Sequence, residues 1–191
     1  MEQVSKEETL AILREAEKTL GHAGDFVELG CYKGDTSLLL AKLLKEHRST
    51  QRLWLYDSFA GLPEKTREDQ SVAGDQFKAG ELFVSKREVV ERFKRSGLPM
   101  PIIKKAFFED LNPTSDLPNS IAFAFLDGDL YGSIKTSLKL VSPKLVEKGI
   151  IIVHDYNNPE LPGSSRAVDE FLRGNPIFRL VQKHTLAILT H

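Results

Sequence analysis

The sequence lacks the features that mark secreted, membrane-spanning and nucleic-acid-binding proteins. A single cysteine, Cys31, excludes an intramolecular disulfide and fits a reducing compartment. No apolar run approaches the roughly 20 residues that a membrane-spanning helix needs. The formal net charge is -1 and no long block of like charges occurs, so no field favours nucleic acid or an anionic membrane. We therefore expect a cytoplasmic protein that binds no nucleic acid and does not insert into a membrane.

The composition is that of one globular domain. Hydrophobic residues make up 41% of the chain and charged residues 28%, and 191 residues are enough for one sizeable core. We expect residues 1–191 to form a single domain. Charged and apolar positions alternate over residues 1–20, which is typical of an amphipathic helix and lacks the apolar stretch of a signal peptide. Residues 1–24 are therefore predicted to form an N-terminal helical segment.

Strand patterns alternate with helical patterns along most of the chain. The predicted strands are residues 25–29, 52–56, 102–106, 121–126, 149–153, 178–182 and 186–190. The predicted helices between them are residues 36–44, 85–96, 133–141 and 166–172. Such alternation predicts an α/β fold with a mostly parallel sheet, helices on both faces and a C-terminal antiparallel hairpin.

Residues 63–80 do not fit this alternation. They are polar, have no clean periodicity and form a long connection. Long loops of this kind are usually lids over a site or disordered segments. We expect residues 63–80 to form a lid loop.

Two buried strands end in acidic and imidazole side chains. The apolar strand IAFAFL is followed by Asp127 and Asp129 on a glycine turn, and GIIIV is followed by His154 and Asp155. Such side chains contribute little to the stability of a buried sheet. In an open α/β sheet, ligands bind at the carboxyl ends of the strands. These four residues are therefore candidate site residues.

A glycine turn follows the first predicted strand. The sequence FVELGCYKGDTS places Glu28, Gly30 and Gly34 between that strand and the next helix. Glycine allows a sharp turn and a close approach of a ligand to the backbone, and the helix start offers free N–H groups to an anionic group. The alternative is a connection that binds nothing. The G-x-x-x-G spacing weighs against a dinucleotide, for which G-x-G-x-x-G is expected.

The second predicted strand ends in Asp57. An acidic residue at this position can bind both hydroxyls of a ribose through its two carboxylate oxygens. The alternative is an aspartate that caps a helix or a turn. Because the glycine turn precedes it, we favour the ribose-binding role for Asp57.

Several motifs resemble the macrocin O-methyltransferase family, which consists of class I methyltransferases that use S-adenosylmethionine. These are ExGxxxG at residues 28–34, YDSFAGLP at residues 56–63 and LDGDLYGS at residues 126–133. Residues 80–98, HDY at residues 154–156 and AVDEF at residues 167–171 add to the resemblance. The resemblance implies a Rossmann-like fold with a seven-stranded sheet that ends in an antiparallel hairpin.

The resemblance also implies a site for S-adenosylmethionine. The glycines would lie behind its methionine part, Glu28 would orient that part, and Asp57 would hold the ribose. Phe108 would stack or pack on the adenine, unless it is an ordinary core aromatic. The implied cofactor-binding residues are Glu28, Gly30, Gly34, Asp57, Ser58, Phe59, Phe108 and Asp127.

Family members that methylate sugar hydroxyls use a divalent metal, and its implied ligands here are Asp127, His154 and Asp155. The chain departs from the family at His154, because the usual Asp-Asp pair is His-Asp. Three carboxylates suit Mg²⁺, whereas two carboxylates and an imidazole suit Mn²⁺, Fe²⁺, Co²⁺ or Zn²⁺ better. The alternatives are a site that has lost its metal, or a neutral His154 bonded to a backbone group.

Asp127 and Asp129 are the candidate catalytic residues. Methyl transfer is an in-line displacement, and a neutral alcohol must lose its proton during the attack. A metal bound to the hydroxyl lowers its pKa and aligns it with the methyl group. Asp127 would hold that metal and Asp129 would be the general base, unless Asp129 is a solvated turn residue. His154 is the alternative base if no metal binds.

We therefore expect an S-adenosylmethionine-dependent O-methyltransferase that acts on a small hydroxylated acceptor of sugar or phenol type. Natural-product members carry a longer N-terminal region. The acceptor pocket is thus expected to rely on residues 64–80, residues 157–165 or a partner subunit. Short members of such folds often pair, so a homodimer is one expectation. The alternatives are a protein that binds the cofactor without methyl transfer and, more weakly, a nicotinamide oxidoreductase.

Overall fold

A computed structural model describes residues 4–71 and 76–191, and the Rossmann-like α/β fold is confirmed. The strands are β1 Asp25–Leu29, β2 Leu53–Asp57, β3 Ile102–Lys105, β4 Ile121–Leu126, β5 Leu145–Val153, β6 Arg179–Lys183 and β7 Leu186–Thr190. The α-helices are α1 Lys6–Lys18, α2 Asp35–Glu46, α3 Lys86–Ser96, α4 Tyr131–Val141 and α5 Pro162–Gly174. Short 3₁₀ turns lie at Arg67–Asp69, Phe108–Asp110 and Ser142–Lys144.

The strands form one seven-stranded sheet in the order β3-β2-β1-β4-β5-β7-β6. The first five strands of the chain run parallel, and β7 pairs antiparallel with both β5 and β6, as the sequence predicts. The chain moves outward from β1 through β2 to β3 and then returns to place β4 on the other side of β1. Such a reversal of strand order opens a crevice at the carboxyl ends of the strands.

Helices cover both faces of the sheet because the central strands are apolar on both faces. All six residues of β4 are buried. Phe123 and Phe125 point into a core layer that α1, α2 and α3 cover, whereas Ala124 and Leu126 point into the layer beneath α4 and α5. The period of two along a strand therefore assigns each side chain of β4 to one of the two layers.

Three elements begin earlier than the sequence predicts. Strand β5 begins at Leu145, and its pairing with β4 shifts in register before the predicted apolar residues 149–153. Helix α5 begins at Pro162, where proline is well suited because its missing N–H is not needed in the first turn. Helix α4 begins at Tyr131. Apart from the buried Leu145, the extra residues at these starts are polar, small or half-exposed, so apolar periodicity does not reveal them.

The described part of residues 63–80 is anchored to the rest of the fold. Asp69 is buried, and its Oδ1 accepts a hydrogen bond of 2.7 Å from the backbone N–H of Tyr131. Its Oδ2 accepts bonds of 2.8 Å from the backbone N–H and the hydroxyl of Thr66. A Cβ atom on Gly163 would lie 1.9 Å from Oδ1 of Asp69, so this anchor also requires glycine at the start of α5. Residues 72–75 of the predicted lid lie outside the described residues, and the lid stays a prediction.

Within residues 4–71 and 76–191, none of the helices combines the length and the apolar character needed to cross a bilayer. The cytoplasmic location stays a prediction.

Candidate active site

A cleft lies at the carboxyl edge of the sheet, where β1, β2 and β4 end. Backbone hydrogen bonds continue past the strands: Gly30 N–H donates to the carbonyl of Tyr56 at 2.8 Å, and Asp127 N–H donates to the carbonyl of Leu29 at 2.8 Å. The turns after these strands are thus held side by side. The cleft is lined by Gly30, Tyr32, Asp57, Ser58, Gly61, Leu62, Pro63, Leu82, Phe107, Phe108, Glu109, Asp127, Gly128, Asp129 and Ser133.

Both glycines of the first turn adopt conformations that favour glycine. Gly30 has φ 91°, and a Cβ atom there would lie 1.9 Å from the carbonyl oxygen of Asp127. Gly34 has φ 80° and precedes the first residue of α2. Glycine is therefore required at position 30 because the backbone just after β4 lies so close to it. Gly30 lines the cleft as well, so its backbone faces the space where a ligand would lie.

Glu28 is buried on β1 beneath this turn. Its carboxylate accepts a hydrogen bond of 2.5 Å from the hydroxyl of Ser37 in the first turn of α2. Burial raises the pKa of Glu28 well above its usual range, and the negative charges of Asp127, Asp57 and Asp35 raise it further. A buried acidic group among other carboxylates is costly for stability, which is typical of a site that binds a positively charged ligand.

Asp57 joins the end of β2 to the glycine turn. Its Oδ2 accepts hydrogen bonds from the backbone N–H groups of Cys31 at 3.0 Å and Tyr32 at 2.9 Å. Its Oδ1 accepts one from the N–H of Phe59 at 2.8 Å. Burial nevertheless raises the pKa of Asp57, because it outweighs these hydrogen bonds. Each carboxylate oxygen has two lone pairs, so Oδ1 can accept a further bond from a ligand in the cleft.

Three further residues that the resemblance assigns to the cofactor site, Ser58, Phe59 and Phe108, differ in position. Ser58 lines the cleft, but its hydroxyl is engaged in the turn, because it donates to the carbonyl of Gly61 at 2.9 Å. The side chain of Phe59 is packed in the core with that of Phe93, and its backbone N–H is the part that bonds Asp57. Phe108 lines the cleft and also belongs to the core, and its contact with the adenine stays a prediction.

The turn after β4 brings Asp127 and Asp129 to the same cleft. Asp129 has φ 58°, a left-handed conformation that is uncommon for residues other than glycine and that concentrates at functional sites. Burial raises the pKa of Asp129 well above its usual range, and the charges of Asp127 and Asp155 raise it further.

The predicted metal ligands converge in space. One ligand atom each from Asp127, His154 and Asp155 can be chosen so that all lie within 4.8 Å of one another. Nδ1 of His154 is 3.0 Å from Oδ1 of Asp127 and 2.9 Å from Oδ2 of Asp155. Burial lowers the pKa of His154, but its contacts with Asp127, Asp155 and Glu8 outweigh burial and raise it well above the usual value. The imidazole thus faces carboxylates.

Sequence reasoning missed two buried carboxylates beside the site, Glu8 and Asp69. Glu8 forms a capping box with Ser5 at the start of α1, a pattern that predicts only a helix start. Its carboxylate also lies 3.7 Å from Nε2 of His154. Asp69 lies in the segment without periodicity and bonds the start of α4. Both contacts join residues far apart in sequence, and local patterns carry no signal for them.

A groove between α1 and α2 meets the cleft at Gly30, Tyr32 and Asp127. Its volume is about 750 Å³. Its walls are largely apolar and include Val4, Leu10, Leu13, Leu38 and Leu39. Leu10 and Leu39 are exposed in the structure. The cleft and the groove therefore adjoin each other beside Asp127.

The architecture is shared with Rossmann-like methyltransferases. The solved structure of the O-methyltransferase NovP is similar to this chain with a TM-score of 0.83 and 27% identity, and the match covers 97% of this chain and 79% of that one. A sequence profile of the macrocin O-methyltransferase (TylF) family matches residues 7–183. The chain therefore belongs to the macrocin O-methyltransferase family, as the motifs indicate.

Two curated relatives come from Streptomyces species. Demethyldecarbamoylnovobiocin O-methyltransferase of Streptomyces niveus is 34% identical over 156 residues, which are 78% of this chain and 58% of that protein. The 8-demethyl-8-(2,3-dimethoxy-alpha-L-rhamnosyl)-tetracenomycin-C 4'-O-methyltransferase of Streptomyces olivaceus is 32% identical over 142 residues, which are 71% of this chain and 54% of that protein. The matched part thus spans little more than half the length of these relatives.

Proposed function

We propose that this chain is an S-adenosylmethionine-dependent O-methyltransferase that acts on a hydroxyl of a small acceptor of sugar or phenol type, assisted by a divalent metal. The observation that carries the proposal is the meeting of three groups in one cleft: the glycine turn at Gly30, the carboxylate of Asp57 and the acidic turn at Asp127. The names of the relatives support an oxygen acceptor, since both are O-methyltransferases and one acts on a rhamnosyl group.

The cofactor would lie along the cleft with its ribose at Asp57. Oδ1 of Asp57 would accept from a ribose hydroxyl, while the N–H groups of Cys31 and Tyr32 hold Oδ2 in place. Phe108 would pack against the adenine, and Ser58 would lie beside it. The methionine part would then lie over Gly30 and Gly34. Glu28 beneath this turn would favour its positively charged amino group.

The residues at Asp127, His154 and Asp155 fit a divalent ion. Neighbouring ligands of an octahedral ion with bonds of about 2.1 Å lie about 3 Å apart. Nδ1 of His154 is 3.0 Å from Asp127 and 2.9 Å from Asp155. The mixed set of nitrogen and oxygen donors suits Mn²⁺, Fe²⁺, Co²⁺ or Zn²⁺ better than Mg²⁺. A bound ion would polarise the acceptor hydroxyl and lower its pKa.

Asp129 is the proposed general base because it follows the metal-binding turn and lines the same cleft. Its carboxylate would accept the proton of the acceptor hydroxyl as the oxygen attacks the methyl carbon. The new O–C bond forms as the S–C bond breaks, and the sulfonium becomes a neutral thioether. The protein contributes mainly alignment, because in-line displacement depends on the position of the oxygen.

The body of the acceptor would lie in the groove between α1 and α2. The groove meets the cleft at Asp127, so a hydroxyl at its inner end would reach the proposed metal. The apolar side chains of Leu10, Leu13 and Leu39 would contact an apolar part of the acceptor. The proposed acceptor therefore combines a hydroxylated end with an apolar body.

One observation favours a second candidate function, a protein that binds S-adenosylmethionine or S-adenosylhomocysteine without methyl transfer. The separations between Nδ1 of His154 and the carboxylates of Asp127 and Asp155 also suit hydrogen bonds from a protonated imidazole. An imidazolium there would occupy the place of the metal. Such a protein would bind the cofactor and turn over no acceptor.

Calorimetric titration with S-adenosylhomocysteine tests the cofactor site, and Asp25 supplies a matched control for Asp57. Asp25 starts β1 at the opposite edge of the sheet and also accepts from a backbone N–H, that of Arg52 at 2.9 Å. We expect micromolar binding to the wild type and to Asp25→Asn, and binding at least tenfold weaker to Asp57→Asn. Absence of heat and of a thermal shift with the wild type would refute the proposed function.

Transfer itself is measured with S-adenosylmethionine labelled in the methyl group and a panel of rhamnosyl glycosides and phenols. Label in an acceptor, lost on addition of EDTA and in Asp127→Ala, supports the metal-assisted reaction. Cofactor binding without label in any acceptor of the panel would favour the second candidate. Transfer that survives both EDTA and Asp127→Ala would contradict the role of the metal.

A further inference from the structure

A buried carboxylate of the N-terminal helix lies against one of the proposed metal ligands. Glu8 on α1 is 6% exposed, and its Oε2 is 3.7 Å from Nε2 of His154, which is also 6% exposed. At this distance the contact is electrostatic, since a hydrogen bond requires about 3 Å. A charged group buried beside a ligand of a metal is a candidate for orienting that ligand.

Glu8 is held in place from two sides. Its Oε2 accepts from the backbone N–H of Ser5 at 3.0 Å and from the hydroxyl of Ser5 at 2.6 Å. Its Oε1 accepts from the hydroxyl of Thr185 and from the backbone N–H of Thr185 at 3.3 Å, in the turn between β6 and β7. Each oxygen of Glu8 accepts from a backbone N–H group, so the group that faces Nε2 is a carboxylate fixed as a hydrogen-bond acceptor.

The two ring nitrogens of His154 face different partners. Nδ1 faces Asp127 and Asp155, whereas Nε2 faces Glu8. An ionised carboxylate attracts an N–H group and repels a nitrogen lone pair. A divalent ion would take the place of a proton on Nδ1 between the two aspartates, and Glu8 would then hold the remaining proton on Nε2.

We propose that Glu8 is a positioning residue that keeps the proton on Nε2 of His154 and so presents Nδ1, with Asp127 and Asp155, to a divalent transition metal. The inference rests on the metal in the proposed function and adds a residue outside the motifs. The N-terminal helix thereby becomes part of the metal site through Glu8, although it supplies none of the proposed ligands.

Glu15 provides a matched control on the same helix. It is 4% exposed, and it accepts a bond of 2.7 Å from Nζ of Lys183 at the end of β6. Its other contact in the described part of the chain is Lys18. Glu8 and Glu15 thus both fasten α1 to the β6–β7 hairpin, but the carboxylate that reaches His154 is that of Glu8. Removing either carboxylate tests whether the attachment of α1 to the hairpin matters for metal binding. Only the removal of Glu8 tests whether the contact with His154 matters.

The experiment compares the wild type, Glu8→Gln and Glu15→Gln for Mn²⁺ affinity, read from the free-ion signal in electron paramagnetic resonance. We expect at least tenfold weaker Mn²⁺ binding for Glu8→Gln, in line with the roughly 10–100-fold cost of losing an outer partner of a metal ligand. Glu15→Gln should bind Mn²⁺ as the wild type does. Equal Mn²⁺ affinity of Glu8→Gln and wild type, equal losses in the two variants, or a wild type that binds no Mn²⁺ would each overturn the inference.

A second measurement does not depend on the folding of a variant. Nitrogen-15 spectra of the imidazoles in the Zn²⁺-loaded wild type should show His154 with its proton on Nε2 and the metal on Nδ1. The opposite assignment would overturn the inference. S-adenosylhomocysteine binding, measured on the same samples, distinguishes a failure of the proposed function from a failure of the role of Glu8. Its absence in the wild type defeats the proposed function, whereas normal binding with an unchanged Mn²⁺ affinity in Glu8→Gln defeats only the role of Glu8.

Discussion

A Cβ atom on Gly30 would lie 1.9 Å from the carbonyl oxygen of Asp127, so the turns after β1 and β4 touch through their backbones. This contact brings the proposed cofactor turn against the proposed metal-binding turn. A methyl group held over the first turn would lie beside an acceptor oxygen at the second. The site therefore depends on a backbone approach that one side-chain carbon would prevent.

Substitution Gly30→Ala should destabilise the protein and abolish cofactor binding. The new Cβ would displace the end of β4 in addition to straining a left-handed backbone, and we expect a loss of about 3 kcal/mol in the free energy of unfolding. Gly21 has φ 80°, and a Cβ atom added there would have no described atom within 4 Å, so Gly21→Ala carries the backbone strain alone. Urea unfolding and calorimetry with S-adenosylhomocysteine measure both effects. Equal losses in the two variants would show that the contact with Asp127 is unimportant.

Substitution Glu28→Gln should separate stability from cofactor binding. Because the folded-state pKa of Glu28 is raised, the folded protein binds a proton more tightly than the unfolded chain. The contribution of Glu28 to stability is thus greatest at low pH and declines as pH rises above the unfolded value of about 4.3. Glutamine keeps an acceptor for Ser37 and removes the ionisation.

We therefore expect the melting temperature of Glu28→Gln to equal or exceed that of the wild type at pH 8. At pH 5 the melting temperature of the variant should fall relative to that of the wild type. Affinity for S-adenosylhomocysteine should fall at least tenfold, because the carboxylate that favours the amino group is gone. Melting curves across pH and calorimetry provide the readouts. A variant less stable than the wild type at pH 8 would contradict the cost assigned to the buried carboxylate.

Substitution Asp69→Asn should release the turn Arg67–Asp69 from the start of α4. The asparagine amide can replace only one of the two oxygens that bond Tyr131 and Thr66, so we expect a loss of about 1–3 kcal/mol from the anchor. Limited proteolysis with trypsin should then cut after the exposed Arg67 more rapidly. S-adenosylhomocysteine should slow that cleavage in both proteins. Unchanged cleavage in the variant would show that Asp69 does not hold the turn.

Substitution His154→Asp should change the preferred metal. An oxygen donor in place of the imidazole nitrogen gives three carboxylates, which suit the hard ion Mg²⁺. We expect the ratio of Mn²⁺ to Mg²⁺ affinity to fall by about tenfold or more in competition titrations, since transition metals gain most from nitrogen ligands. Asp127→Ala should weaken both ions together. A ratio that stays unchanged would indicate that His154 is not a ligand.

The sequence predicts the elements of this site better than their contacts. Strand patterns locate β1, β2, β4 and β5, and Gly30, Asp57, Asp127 and His154 stand at the carboxyl ends of these strands. This works because a buried strand must be apolar, so a carboxylate directly after one is easily noticed. The sequence also indicates that glycine is needed at position 30. It does not reveal the cause, which is the close approach of the backbone of Asp127.

Contacts between distant segments escape sequence patterns. Glu8 and Asp69 each satisfy a local capping motif, which explains them fully at the level of sequence. Only folding brings Glu8 to His154 and Asp69 to Tyr131. The side chain of Phe59 shows the converse, because the motif predicts a cofactor neighbour and the fold packs the ring into the core.

A crystal structure of the protein with S-adenosylhomocysteine and Mn²⁺ tests the central claim most directly. The account predicts ribose hydroxyls within hydrogen-bond distance of Asp57, and an anomalous peak for Mn²⁺ bound by Asp127, His154 and Asp155. The sulfur of the cofactor should face that ion across the turn at Gly30. Cofactor density outside the cleft, or Mn²⁺ bound elsewhere while this cluster keeps its direct contacts, would contradict it.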